Sequence, residues 1–371
     1  MREDVVELLS RLVAVDSVNP SLVAGGAGEG EIAGVVAAWA RDAGLSAEVL
    51  EGTPGRPSVV VRSQPAPSGR TLLLCGHLDT VGVEGMTDPF APRVDGDRLY
   101  GRGAYDMKAG VVAALLACRE ADGVVVAAVA DEEHASLGVQ EVLRSVRADA
   151  AVVTEPTELE LVVAHKGFVW SEVTVEGRAA HGSRPHLGVD AIVKAGAVLV
   201  ALGELDASLA QRSHPLLGRG SVHASVIEGG AEMSSYPARC VAGLERRTLP
   251  GETAADVEAE LAALLDRCRA ADPELVASSR TTLVREPFEV DADAPFVGLV
   301  RAAAADVLGA PPAIGGASYW ADAAFIAAAG IPTVMFGPGG EGAHAVEEWV
   351  SIDDTVAVAR TLAETARRFC A

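Results

Sequence analysis

The sequence predicts an α/β protein in which a mostly parallel sheet with flanking helices is interrupted by a smaller α+β unit. Three observations predict it. Apolar strand patterns and helical patterns alternate from the N-terminus to about residue 160, the order of a parallel sheet crossed by helices. Three of the apolar runs end directly in histidine or acidic residues: 71–75 leads into Gly76-His77-Leu78-Asp79, 124–129 into Asp131-Glu132-Glu133, and 151–153 into Thr154-Glu155-Pro156-Thr157. After His165-Lys166-Gly167 the texture changes, and 168–175 alternates as a half-buried strand does.

Taken in order, residues 3–15 place Val5, Val6, Leu8, Leu9, Leu12 and Val13 at helical spacing, and Asn19-Pro20 breaks the pattern. Residues 25–30 read as a loop, 31–43 as a second helix closed by Gly44, and 46–51 and 58–62 as short strands. The turn 65–69 feeds the buried strand 70–75. The stretch 82–104, rich in Gly, Asp and Pro, reads as one long loop, and a helix follows from near Lys108 to Glu120. Another helix covers 137–146. Beyond the alternating strand come a helix at 188–203, strands at 221–228 and 238–245, a helix at 253–270 and a strand at 274–283. That β-α-β-β-α-β order is ferredoxin-like. Helix 321–329, strand 331–336, the Gly337-Pro-Gly-Gly340 loop, His344 and a final helix at 352–369 resume the first sheet. The expected organisation is a discontinuous catalytic domain, 1–166 and 291–371, interrupted by an inserted domain at 167–290.

A chain of 371 residues with 49% apolar residues can bury two cores, and its net charge of −22 argues against nucleic acid and anionic membranes as partners. The acidic start Met1-Arg-Glu-Asp4 lacks a signal-peptide pattern, and no apolar run reaches spanning length. The five cysteines are scattered, with no Cys-x-x-Cys pair, so reduced thiols in a cytoplasmic protein are expected.

The strand ends supply the chemistry. Ligands of open α/β sheets bind outside the carboxyl ends of the strands. His77, Asp106, Glu132, Glu133, Glu155 and His344 offer nitrogen and oxygen donors suited to zinc or a similar divalent ion. Five ligands and a spare carboxylate exceed one tetrahedral site and suit two ions bridged by a carboxylate, roughly 3.5–4 Å apart. Such a pair activates water, and the spare carboxylate moves its proton to the leaving amine. Asp79 stands two residues from His77 on an extended segment, so its carboxylate is expected to accept the second ring N–H of that histidine.

These motifs resemble those of the co-catalytic zinc aminoacylase and carboxypeptidase family, which includes acetylornithine deacetylase, succinyl-diaminopimelate desuccinylase and glutamate carboxypeptidase. The resemblance runs from Ser17-Val-Asn-Pro20 to the final helix. It implies a zinc exopeptidase-like catalytic domain and an inserted dimerisation and lid domain. Within Gly76-His-Leu-Asp-Thr-Val81 it makes His77 a ligand, with Asp79 beside it. Within Gly101-Arg-Gly-Ala-Tyr-Asp-Met-Lys-Ala-Gly110 it makes Asp106 the bridging carboxylate, followed by a cis peptide to Met107. It makes Glu132 the general base. It pairs His77 with Glu155 on one metal, and Glu133 with His344 on the other. The metals implied are zinc, or cobalt.

In the insert, Arg178-Ala-Ala-His-Gly-Ser-Arg-Pro185 is similar to a segment whose histidine completes a neighbouring active site, so His181 would polarise the substrate carbonyl from the other subunit of a homodimer. Glu245-Arg-Arg-Thr-Leu-Pro-Gly251 resembles a segment whose arginine holds the substrate carboxylate, which makes Arg247 that residue. Ser234 stands where many relatives have asparagine. The strand 168–175 is expected to pair with its own copy across the dimer axis. The substrate implied is a small N-acyl amino acid, as for an acetylornithine deacetylase. The alternatives are a carboxypeptidase or dipeptidase acting on a short peptide with a free carboxylate, and a catalytically silent binding protein.

Overall fold

Runs of valine, leucine and alanine with no polar face need cover on both sides, and four of them lie side by side. The computed structural model describes residues 1–371, in two compact units. The first comprises Met1–Val163, Val290–Gly315 and Ala321–Ala371. Its sheet runs in the order Ser46–Leu50, Ser58–Arg62, Val124–Val129, Leu72–His77, Ala150–Val153, Thr333–Met335, Leu161–His165. The four strands from Val124–Val129 to Thr333–Met335 are parallel and buried throughout. The outer strands are antiparallel. This is the expected mostly parallel sheet, with antiparallel flanks.

The register decides what meets at the carboxyl end. His77 is level with Val129, and Cys75 with Val153. Val153 is in turn level with Met335. The segments that leave these strands therefore emerge together. The strand that carries His77 extends to that residue itself, two residues beyond the sequence-based end.

The helix Ala109–Glu120 is buried from Ala109 through Cys118, which explains why it has no polar stripe. It packs against both central strands and against the final helix Ile352–Phe369. Two glycines permit close backbone approach at the carboxyl end. A Cβ on Gly110 would lie 2.0 Å from the carbonyl oxygen of Thr154, and one on Gly337 1.9 Å from that of Glu155.

Within the stretch read as a long loop, Arg93–Asp95 and Arg98–Tyr100 form short strands. They join Trp349–Ser351 and Gly340–Glu341 in a four-stranded sheet. Leu99 pairs with Val350, and both are fully buried. This small sheet ties the segment after Tyr100 to the segment before Trp349. Three-residue strands are too short for alternation to reveal.

The second unit comprises Ala164–Glu289 and Gly316–Trp320. Its antiparallel sheet runs Ser221–Gly229, Arg239–Thr248, Gly167–Glu176, Val276–Arg285, with helices Ala191–Leu209 and Ala254–Ala271. Val169, Val173 and Val175 meet Val198, Leu202, Leu261 and Leu265 in its core. One expectation fails here. Gly167–Glu176 is paired on both sides, so it cannot meet a copy of itself edge to edge. Alternation reports one buried face and is silent about the strand's edges. The free edges are Ser221–Gly229 and Val276–Arg285. No helix is long and apolar enough to cross a membrane.

Candidate metal centre

His77 closes its strand fully buried, so both ring nitrogens need partners. Nδ1 lies 2.9 Å from the backbone carbonyl oxygen of Asp79. A carbonyl only accepts, so Nδ1 carries the proton and donates. The Asp79 carboxylate is 3.8 Å away, which corrects the expectation that it holds the ring. The Asp79 main chain, not its side chain, meets the imidazole. The carboxylate instead accepts from Asn19 Nδ2 at 2.7 Å and from the backbone N–H groups of Glu132 (3.1 Å) and Glu133 (3.2 Å). Asp79 therefore positions the acidic loop directly, and His77 through its carbonyl.

Nε2 of His77 faces Asp106 Oδ1 at 3.2 Å, and the other oxygen of Asp106 lies 3.2 Å from His344 Nε2. One carboxylate thus spans two histidines. The Asp106–Met107 peptide is cis. Burial opposes ionisation of Asp106, but the hydrogen bonds from His344 and His77 hold its pKa well below the usual carboxylate range. His344 has φ of +62° and approaches Glu133 Oε2 at 3.2 Å as well. Hydrogen bonds to Asp106 and Glu133 push its pKa up to about 10. For His77, burial disfavours the cation, yet Asp106, Glu155 and Glu132 together push its pKa well above the ordinary value.

Glu155 follows its strand, almost fully buried. Donor atoms of His77, Glu132 and Glu155 lie within 4.8 Å of one another, and so do those of His77, Asp106 and Glu133. Burial raises the pKa of Glu132, with Glu155 adding to it, and burial raises that of Glu133, with Asp106 adding to it. Glu155 is raised likewise, by burial and then by Asp106 and Asp322. Oε1 of Glu133 is buried without a hydrogen-bond partner. Mutually repelling carboxylates with an orphaned oxygen fit a cation, and a nitrogen and oxygen donor set fits a zinc-like divalent ion. The sequence-predicted residues His77, Asp79, Asp106, Glu132, Glu133, Glu155 and His344 are thus brought together in the first unit.

Sequence reasoning missed what holds this cluster from behind. Glu348 is buried, and its carboxylate accepts from the N–H groups of Gly103 (2.9 Å), Tyr105 (2.9 Å) and Asp106 (3.0 Å) and from Arg102 Nη1 (2.7 Å). It fixes the loop that carries Asp106. Glu29, Arg56 and Asn19 form a second buried group behind Asp131. Asn19, Arg102 and Glu348 stand in or beside motifs of the sequence, but their roles, like Glu29 and Arg56 themselves, escape it because ion pairs made across the fold leave no local spacing.

The remaining candidates belong to the second unit. His181 is exposed, its Nδ1 2.8 Å from Ser183 Oγ. Ser234 is exposed, and its carbonyl accepts from the Gly182 N–H at 2.7 Å. Arg247 donates from Nε to Glu245 Oε1 at 2.7 Å and lies over the Phe168 ring, 5.1 Å from its centroid.

Comparison with known proteins finds relatives along most of the chain. The sequence profile of peptidase family M20/M25/M40 matches residues 73–368. The chain is 29% identical to an acetylornithine deacetylase of Vibrio atlanticus, over 98% of both chains. Among solved structures, a Staphylococcus aureus tripeptidase superposes with a TM-score of 0.82 at 19% identity, covering 100% of this chain and 99% of its own. A dinuclear metal-binding peptidase of Bacillus subtilis superposes with a TM-score of 0.71 at 15% identity, covering 98% and 97%. At those identities the two structures speak for the fold alone.

The support role of Glu348 predicts a stability cost. In Glu348→Ala, Arg102 remains buried with its counter-charge removed and three N–H groups lose their acceptor. The loss expected is about 3–5 kcal/mol, read from the urea unfolding midpoint. A variant as stable as the parent would contradict the role.

Proposed function

The chain belongs to peptidase family M20/M25/M40, and on that premise we propose that it is a two-metal deacylase of N-acyl amino acids, most like an acetylornithine deacetylase. Membership makes it a metal-dependent hydrolase of amide bonds. In our reading His77 and Glu155 hold one divalent ion, Glu133 and His344 the other, and Asp106 bridges them. Zinc is the proposed metal, with cobalt as a substitute. The observation that carries this reading is Asp106, whose two oxygens each stand 3.2 Å from a different histidine. When bound, such a pair polarises the amide carbonyl and lets water attack near neutral pH.

The protein's own groups do the rest. Glu132 takes the proton of the attacking water on its carboxylate and delivers it to the departing nitrogen. Asp79 supports that role by accepting the backbone N–H of Glu132, which fixes the start of its side chain. His77 would ligate through Nε2, exchanging the proton there for the ion, because Nδ1 is committed to donating to the Asp79 carbonyl. In the second unit Arg247 binds the substrate carboxylate, Ser234 offers a hydroxyl to it, and His181 supports the carbonyl oxygen from the partner of a homodimer. The Ser221–Gly229 edge, with Val226 and Ile227 exposed, supports assembly through this unit. The five cysteines are free and buried, which supports a cytoplasmic setting.

A substrate panel tests the reaction: N-acetylornithine, N-acetyllysine, N-succinyl-diaminopimelate and several dipeptides, each with zinc or cobalt present. The expected outcome is the highest kcat/KM on an N-acetyl amino acid. Preference for dipeptides would replace the deacylase reading with a peptidase, and inertness towards all would favour a binding protein.

The roles of Glu132 and His181 share a second experiment. Glu132→Gln should lose about 10²–10⁴-fold in kcat while retaining its metal by mass spectrometry. Loss of metal would make Glu132 a ligand instead. Mixing this variant with His181→Ala should restore partial activity, since one site of the mixed dimer has both groups. Exchange of tagged subunits without recovery would exclude action across subunits.

A further inference from the structure

Glu132 and Glu133 are consecutive, yet their carboxylates serve different groups of donors. Glu132 joins His77 and Glu155, whereas Glu133 joins His77 and Asp106 and also faces His344. The backbone must therefore leave the strand Val124–Val129 along one particular path. It does so at Asp131, which has φ of +67°, an uncommon conformation for a residue with a side chain. Such an outlier persists where its surroundings over-determine it.

The surroundings are a linked set of mostly buried polar groups. Arg56 donates from Nε to Glu29 Oε2 at 2.7 Å and from Nη2 to Glu29 Oε1 at 2.7 Å. The same Nη2 reaches Asp131 Oδ1 at 2.8 Å, and Nη1 reaches Ser21 Oγ at 3.0 Å. Glu29 Oε1 also accepts the backbone N–H of Asp131 at 3.2 Å. The Glu29–Arg56 pair thus grips Asp131 by its carboxylate and by its main chain. Asn19 Nδ2 then links Asp131 Oδ1 (3.0 Å) to Asp79 Oδ2 (2.7 Å), and Asp79 accepts the N–H groups of Glu132 and Glu133. Apart from the exposed Ser21, every link is a hydrogen bond between groups that are buried or partly buried. Side-chain exposure is 8% for Arg56 and 0% for both Glu29 and Asp131.

A buried ion pair is a poor source of net stability, because desolvation cancels most of the attraction and apolar residues would often serve as well. What the guanidinium provides is direction, since its planar fork fixes several acceptors at once. We propose that Arg56 is a positioning residue of the hydrolytic centre, acting through Asp131 and Asn19 to hold Glu132 beside Glu155 and Glu133 beside Asp106 and His344. The inference rests on the two-metal reading above and adds to it a residue that touches neither metal ligand nor substrate. Lysine at this position keeps the charge and the burial but loses the fork.

The test is Arg56→Lys, with Asn19→Ala as a second variant that removes no charge. The full-length protein is loaded with cobalt(II), and kcat, KM, the cobalt absorption bands and cobalt affinity are measured. Partners beyond the ligands are typically worth about 10–100-fold in activity or metal affinity. We expect kcat to fall in that range with KM changed by less than about twofold, together with altered cobalt bands. The double variant should lose less than the product of the single losses, because both act through Asp131. In metal-free protein, amide exchange at Glu132 and Glu133 should accelerate by about tenfold or more in either variant. A role in stability alone would lower the unfolding midpoint while leaving kcat per folded molecule and the cobalt bands unchanged, and that result overturns the proposal. So does unchanged amide exchange at both residues. Unmodified protein that binds no cobalt would defeat the two-metal reading instead, and the exchange measurement separates the two failures.

Discussion

The structure is governed by the cost of holding Asp106, Glu132, Glu133 and Glu155 together where water is largely excluded. Carboxylates in such a place repel one another and lose solvation. The upward pKa shifts of Glu132, Glu133 and Glu155 express that cost, and the histidines His77 and His344 offset part of it. Cations remove the rest. An arrangement this unfavourable without ions has to be imposed by the fold around it, and most features of the first unit do so.

Three devices share the task. Parallel register brings His77, the Asp131–Glu133 loop and Glu155 out of one sheet at one end. The small sheet through Leu99 and Val350 sets the Asp106 loop beside the segment that bears His344, and the Glu348 carboxylate then locks that loop by three backbone N–H groups. Beyond the strand ends, Arg56, Glu29, Asn19 and Asp79 fix the exit path of the acidic loop. In each case a residue outside the cluster uses hydrogen bonds of defined direction to place one inside it. This is why main-chain donors recur at Asp79 and Glu348.

Much of this was legible in the sequence. Apolar runs that stop at histidine or acidic residues identified the strand ends, because burial and ligand chemistry both act on local composition. The order of elements in 167–290 indicated the ferredoxin-like unit for the same reason, and the structure has that order. What escaped was relational. The partner of His77 was expected to be the Asp79 carboxylate and is the Asp79 carbonyl, because the carboxylate is taken up by Asn19 and by the N–H groups of Glu132 and Glu133. Strand 168–175 read correctly as half-buried, yet its central place follows from pairings with residues 65 to 117 positions away, where periodicity has no reach. Arg56 is a single charged residue whose partners are distant in the chain, so nothing nearby distinguishes it from a surface charge, and Glu348 follows the His344 motif in the sequence without any sign of what it binds.

The central claim is that one carboxylate, Asp106, joins two ion sites. Anomalous diffraction from crystals grown with zinc, recorded on both sides of the zinc absorption edge, tests it directly. The account predicts two peaks, one beside Oδ1 between Asp106 and His77 and one beside Oδ2 between Asp106 and His344. A single peak at full occupancy with excess zinc, or two peaks that Asp106 does not touch, would contradict it.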